Sequence, residues 1–342
     1  LNKIKVSVLL ALLVFAFLLD VALGSIHIPF KAVLGILISP DTADTTWLYI
    51  IQQIRLPKAL TAVVVGCGLS VSGLQMQTLF RNPLAGPSVL GITAGASLGV
   101  ALVMLSAGTI TSLYSIKELG ISGSWLIILA SSIGAAMVML LVVTISSSLK
   151  DNVIVLIVGV MIGNITFSII SIWQYFSAPE LIKDYLIWTF GSLGGVTGDQ
   201  LLILTIVVII GTAISFVSSK LLDALLLGDN YARSMGVTVK RARLLIIGST
   251  SILAGGITAF CGPIGFIGIA VPHLTRALFN TSNHRILIPG CCLVGTLLML
   301  VCDIVAQLPG SQTVLPINVI TALVGSPVVI WIIVGRNKLK GF

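Results

Sequence analysis

Few residues in this chain have the types and spacing that catalysis requires. Gly120-Ile121-Ser122-Gly123 fits a serine-nucleophile pattern. The span count below puts Ser122 on one side of a membrane and both His273 and His284 on the other, so no Ser–His pair can form. Neither an HExxH nor a GxxxxGK[ST] stretch occurs, so the chain is not expected to hold a hydrolytic zinc or to bind ATP in the usual way. Cys67, Cys261, Cys291, Cys292 and Cys302 sit in or beside apolar runs without CxxC or Cys/His spacing, and read as small buried residues. The expectation is a protein with no catalytic residue, no metal and no cofactor of its own.

The remaining chemistry is electrostatic and mechanical. Lys220 to Arg243 is the only long stretch with regularly interspersed charge, holding five of the nineteen Lys and Arg residues together with Asp223 and Asp229. Its spacing predicts two short helices. The first is broken at Gly228; the second is N-capped by Asp229, a cap worth ~1 kcal/mol, and is stopped by Gly236 as a left-handed C′ residue. Such a segment is either a handle that another protein pushes or an interfacial loop anchored by its leucines, and spacing alone leaves both open. Arg55-Leu56-Pro57-Lys58 places two cations around a proline, which suits either an acidic partner or snorkelling toward headgroups. Gln75 and Gln77 each cost free energy in hydrocarbon and must face a polar pathway or a partner backbone group. At Arg81-Asn82-Pro83-Leu84-Ala85 the proline bars continued helix, which makes Asn82 and Leu84 candidate constriction residues, although a simple turn fits as well.

These residues have to be positioned by apolar helices. With 342 residues, 57% hydrophobic, 9% charged and a mean hydropathy of +1.14, the chain is not a soluble globular domain. Runs of roughly 20 apolar residues recur at about 6–24, 59–79, 88–107, 125–147, 153–173, 200–219, 244–260, 264–280, 286–306 and 316–335. The run at 6–24 contains Asp20 and reads as a retained span rather than a signal peptide. No polar interval is long enough for an ATPase or ligand-binding module, so such parts are expected on other polypeptides. Ten spans put both termini on one side. Fourteen of the nineteen basic residues then share that side, leaving Lys31, Arg55, Lys58, Lys117 and Lys183 on the other. The positive-inside rule makes the richer side the cytoplasm, with the 220–243 segment in it. The net charge of +8 is thus a topology signal, not a nucleic-acid signal. Phe80-Arg81-Asn82-Pro83-Leu84 after the second run is echoed by Phe260-Cys261-Gly262-Pro263-Ile264 after the seventh. An offset of five spans is what an inverted repeat of two five-helix halves would give. The fold class read here is all-α and polytopic, with residues 1–342 forming one membrane domain.

The ordered motifs resemble the permease subunits of type II ABC importers, the family that moves iron–siderophore chelates, haem and cobalamin. The resemblance rests first on Arg55-Leu56-Pro57-Lys58, Gly73-x-x-x-Gln77, Arg81-Asn82-Pro83-Leu84-Ala85 and Leu90-Gly91. It continues through Trp188 with Gly191-Ser192, Leu227-Gly228-Asp229-x-x-Ala232-x-x-x-Gly236, and Gly262-Pro263-Ile264-Gly265-Phe266-Ile267-Gly268 with Pro272-His273 and Arg276. It closes on Leu315-Pro316 and Gly325-x-Pro327. The resemblance implies a bacterial inner-membrane permease with cytoplasmic termini. It would work with a second permease copy or a homologue, a pair of cytoplasmic ATPases that carry the ATP, and an extracytoplasmic substrate-binding protein, with lipid around it and no nucleic acid. By the same resemblance, Leu227, Gly228, Asp229, Ala232, Arg233 and Gly236 belong to coupling helices at about 221–236. Arg55 and Lys58 dock the binding protein. Asn82 and Leu84, with Asn152 as a second element, form the inner gate, and the fifth and tenth spans line the pathway, for which Gln77 is a candidate by its polarity.

Three positions depart from the family pattern: Val314 stands for a Glu, Asn318 is a polar residue that can face the pathway, and Gln307 stands where a further docking Arg can occur. An ion-coupled secondary transporter is the main rival reading. It would need intramembrane charge, for which only Asp20 and Asp303 are available.

Overall fold

The computed structural model describes residues 3–24, 26, 28–38, 45–105, 123–148, 152–196, 198–307 and 313–339, and among them every regular element is helical. Ser122 and Lys117 lie outside the described residues. In chain order the elements are α1 (Lys3–Ala22), α2 (Phe30–Ile38), α3 (Thr45–Tyr49), α4 (Leu56–Leu79), α5 (Ile92–Leu105), α6 (Gly123–Ser148) and α7 (Asn152–Phe176). They continue with α8 (Pro179–Thr189), α9 (Asp199–Val217), α10 (Ser219–Leu226), α11 (Asp229–Ser234), α12 (Val239–Cys261), α13 (Ile267–Phe279), α14 (His284–Ala306) and α15 (Ile317–Leu339). Seven segments are long and apolar enough to cross a membrane, and shorter apolar helices (α5, α13 and α15's 317–331 part) stand at the other three expected positions. The all-α polytopic reading holds.

α4 is the axis of the bundle. A π-helical turn, Ile50–Arg55, leads into it without a break and ends just before Pro57, which has no N–H to donate. From Leu69 to Leu79 every side chain is buried, as expected of a helix with neighbours on all sides. α9, α12, α13 and α14 all pack on it. Two glycines set the spacing: a Cβ on Gly66 would overlap the Gly295 carbonyl, and one on Gly73 the Gly268 carbonyl. Backbones this close are how helices gain packing energy where no hydrophobic effect separates them from lipid. By contrast α6, α7 and α9 expose broad apolar faces, such as Ile165 and Ile172 on α7 and Ile209 on α9.

The sequence echo has a geometric counterpart. α4 ends in a left-handed residue, Arg81 (φ 47°), and the short helix α5 then begins after Gly91 (φ 74°). α12 ends at Gly262 (φ 73°), and the short helix α13 begins after Phe266 (φ 65°). Each half therefore interrupts its second long helix in the same way before a helix of thirteen or fourteen residues.

Candidate functional site

At one end of the bundle, α10 and α11 form a bracket. Leu222, Ala224 and Leu225 bury the inner face of α10, and Gly228 (φ 112°) turns the chain into α11. The stop of α11 has the predicted geometry: Gly236 (φ 81°) donates to the Arg233 carbonyl and Val237 to the Ala232 carbonyl, the paired bonds of a Schellman motif. The expected cap at its start is absent. Asp229 is the first helical residue, not the N-cap, and its side chain makes no capping bond. Its carboxylate instead faces Arg243 on α12 at 3.5 Å and Arg81, beyond the end of α4, at 3.9 Å. The local spacing suits a cap, but two cations brought in from distant segments outweigh it. Ala232 is buried, while Leu227, Tyr231, Arg233 and Met235 are exposed.

A second tie holds the bracket. Asp223 on α10 accepts hydrogen bonds from His284 at the start of α14, through Nδ1 at 2.6 Å and the backbone N–H at 3.0 Å. Burial alone would raise the Asp223 pKa. The bonds from His284, with the charge of His284 and Arg285, reverse this and hold it below the ordinary carboxylate value. The other ring nitrogen of His284 lies 2.8 Å from the Thr78 hydroxyl of α4. This Asp–His–Thr chain is no hydrolytic triad, because His284 and Thr78 are both fully buried and the hydroxyl donates to the Leu74 carbonyl.

The break after α4 lies beside the bracket. Asn82 Oδ1 accepts from the Leu84 N–H, closing a short turn, with Leu84 half exposed. His273 on α13 reaches the Pro83 carbonyl at 2.8 Å. Gln77 is buried, donating to the Ile269 carbonyl and accepting from Arg276 at 2.6 Å. Gln75 bonds Thr250 and Ser249. Of the two options the sequence allows for these glutamines, the structure shows partner groups inside the bundle. Asn152 is the first residue of α7.

The opposite end gathers the other candidates. Arg55 donates to the carbonyls of Val21, Ala22 and Ile26, so its guanidinium satisfies the open C-terminal end of α1. Lys58 pairs with Asp303 at 2.9 Å. Gln307 is buried, its amide donating to Asp20 at 2.8 Å and to Asp303 at 3.1 Å. Both cations of the Arg55–Lys58 stretch are therefore bonded within the chain. The one neutral amide of Gln307 bridges two buried aspartates. The cluster borders a cavity of about 600 Å³, also lined by Phe190, Gly191 and Leu315. Asn318, in the first turn of α15, ties that helix to the α12–α13 break, accepting from the Gly265 N–H at 2.9 Å and donating from its own N–H to the Phe190 carbonyl. It opens onto a separate cavity of about 470 Å³ with Phe266, Leu323 and Pro327.

A central broken helix, its repeat and a rigid bracket at one end define a multi-pass transport protein. The chain belongs to the FecCD transport family, whose profile matches residues 12–335. It is 32% identical over 339 residues to the hemin transport system permease protein HmuU of Yersinia pestis, covering 99% of this chain and 97% of that one. It is 35% identical over 286 residues to the vitamin B12 import system permease protein BtuC of Salmonella typhimurium, covering 83% of each. A metal-chelate type ABC transporter solved in an inward-facing conformation superposes with a TM-score of 0.83 at 28% identity, over 98% of this chain and 100% of that one. The chain is accordingly a permease subunit of an ATP-binding-cassette importer.

Proposed function

We propose that this permease imports metal chelates of the haem, cobalamin or ferric-siderophore class. In this reading two permease copies work with two cytoplasmic ATPase subunits that hydrolyse ATP, and an extracytoplasmic binding protein delivers the cargo. The bracket end and both termini face the cytoplasm. One observation carries the reading: α10–α11 is a stiff element, closed by a Schellman turn and tied to α4, α12 and α14 through Asp223 and Asp229. Its outward side offers Leu227, Tyr231 and Met235 to a partner. A loop merely lying in the interface needs no such ties. The cargo class follows from the haem and vitamin B12 relatives and the metal-chelate structural neighbour. The Asn82–Leu84 turn serves as the inner constriction, and Asn318 with its cavity belongs to the pathway, which runs between α7 and α15 of paired copies. An acidic docking partner at the Arg55 end would have to compete with Asp303 for Lys58 and with three backbone carbonyls for Arg55.

The test is reconstitution in vesicles with a partner ATPase and binding protein, offering haemin, cyanocobalamin and a ferric hydroxamate as cargo. One of these should enter only when ATP and both partners are present, and the permease alone should hydrolyse no ATP. Uptake driven by an ion gradient without the ATPase would overturn the reading.

A further inference from the structure

The tie from Asp223 to Thr78 has a direction. Thr78 is not an arbitrary contact on α4: its carbonyl accepts the Arg81 N–H, while the Gln77 carbonyl accepts the Asn82 N–H, the bonds that wind α4 to its stop. The hydroxyl of Thr78 has one proton, and that proton goes to the Leu74 carbonyl at 2.9 Å. Nδ1 of His284 lies 2.6 Å from the Asp223 carboxylate, and Nε2 lies 2.8 Å from the Thr78 hydroxyl. His284 is in hydrogen-bond contact at both ring nitrogens and is fully buried, so the three side chains form one continuous connection. It runs from the first bracket helix, through the N-terminus of α14, into the last turn of α4. From there three residues lead to Asn82.

The structure assigns Asp223, His284 and Thr78 as positioning residues that carry movement of the α10–α11 bracket into the Asn82–Leu84 turn. The inference rests on the reading of the bracket as the ATPase contact and of this turn as the constriction. The Asp229–Arg81 pair reaches the same turn from α11, but at 3.9 Å with Arg81 half exposed. The route through His284 has the shorter contacts, 2.6 and 2.8 Å. His273 holds the far side of the turn at Pro83, so displacement of Thr78 has a fixed point to work against.

The experiment uses the full transporter in vesicles, with whichever of haemin, cyanocobalamin or ferric hydroxamate the wild type takes up. Asp223→Asn and His284→Gln should each lower cargo moved per ATP hydrolysed about tenfold, within the range typical of coupling between sites, while the ATPase still co-purifies. The double variant should be no worse than either single one, because both cut the same connection. His284→Asn keeps a donor toward Asp223 and Thr78→Ser keeps the hydroxyl. Thr78→Ser should couple as the wild type, Thr78→Val should not, and His284→Asn should fall between.

A cargo-independent reporter separates coupling from folding. With Ser88→Cys beside the turn, labelling by a membrane-impermeant maleimide should change on adding ATP. That change should vanish in Asp223→Asn, whereas the same response from Lys220→Cys, exposed on the bracket away from its partner face, should persist. An ATP response at position 88 that survives Asp223→Asn and His284→Gln, with unchanged coupling, would overturn the assignment. Absence of ATP-driven uptake by the wild type would instead overturn the underlying reading of the transporter.

Discussion

Asp229 shows how a residue's neighbours replace the role its local sequence suggests. Asn and Asp are about equally good N-caps, whereas only Asp can pair with Arg243 and Arg81. Asp229→Asn should therefore lower the thermal stability of the purified protein as much as Asp229→Ala does. A mild Asn variant would restore the capping role. Gly236 behaves as its spacing predicts. With φ at 81° and nothing within 4 Å of a Cβ built there, its requirement is conformational rather than steric. Gly236→Val should cost about 1–3 kcal/mol, and Gly236→Asn, which tolerates this backbone, should cost less. Both can be ranked by chemical unfolding in detergent. For Asp223 the sign of the pH effect is fixed by its lowered pKa. Its contribution is present at neutral pH and is lost only as pH falls through a value below 3.8.

Among the elements, α4 decides the rest, and its glycines differ in kind from others in the chain. Gly73 is in backbone contact with Gly268 of α13, while Gly248 on α12 has nothing within 4 Å of a built Cβ. Gly73→Ala must push α13 away from α4 and should abolish stable insertion, read as loss of a monodisperse purified protein. Gly248→Ala should stabilise by about 0.5–1 kcal/mol, the usual cost of a helical glycine. If both changes were neutral, the close α4–α13 packing described here would be wrong.

For the whole molecule, the bonded cluster at the Arg55 end ties α1, α4 and α14 together. Lys58 stands against Asp303, with Asp20 linked through Gln307. Removing one member of a largely buried pair leaves the other charge uncompensated, typically at roughly 3–5 kcal/mol, whereas replacing both with apolar residues is often nearly neutral. Lys58→Met should accordingly destabilise the protein strongly, and Lys58→Met with Asp303→Leu should recover most of the loss. If Lys58 served only a binding protein, Lys58→Met would unfold like the wild type and only association would weaken.

The class of the protein was legible in the chain because the bilayer leaves few choices. Long apolar runs must become helices, and proline or glycine at their ends must break them, whatever surrounds them. That is why the run positions, the breaks after α4 and α12, and the stop at Gly236 all follow from local chemistry. The motif order was likewise enough to indicate the family. What the sequence could not supply were the partners of its polar residues. Asp223 meets His284 across 61 positions, Gln77 meets Arg276 across 199, and Gln307 meets Asp20 across 287. A buried polar group in hydrocarbon has to be satisfied, but which of the few available groups satisfies it depends on how the helices pack. Only the tertiary structure therefore decided that Arg55 closes the end of α1 and that Asp229 is an ion-pair partner rather than a cap.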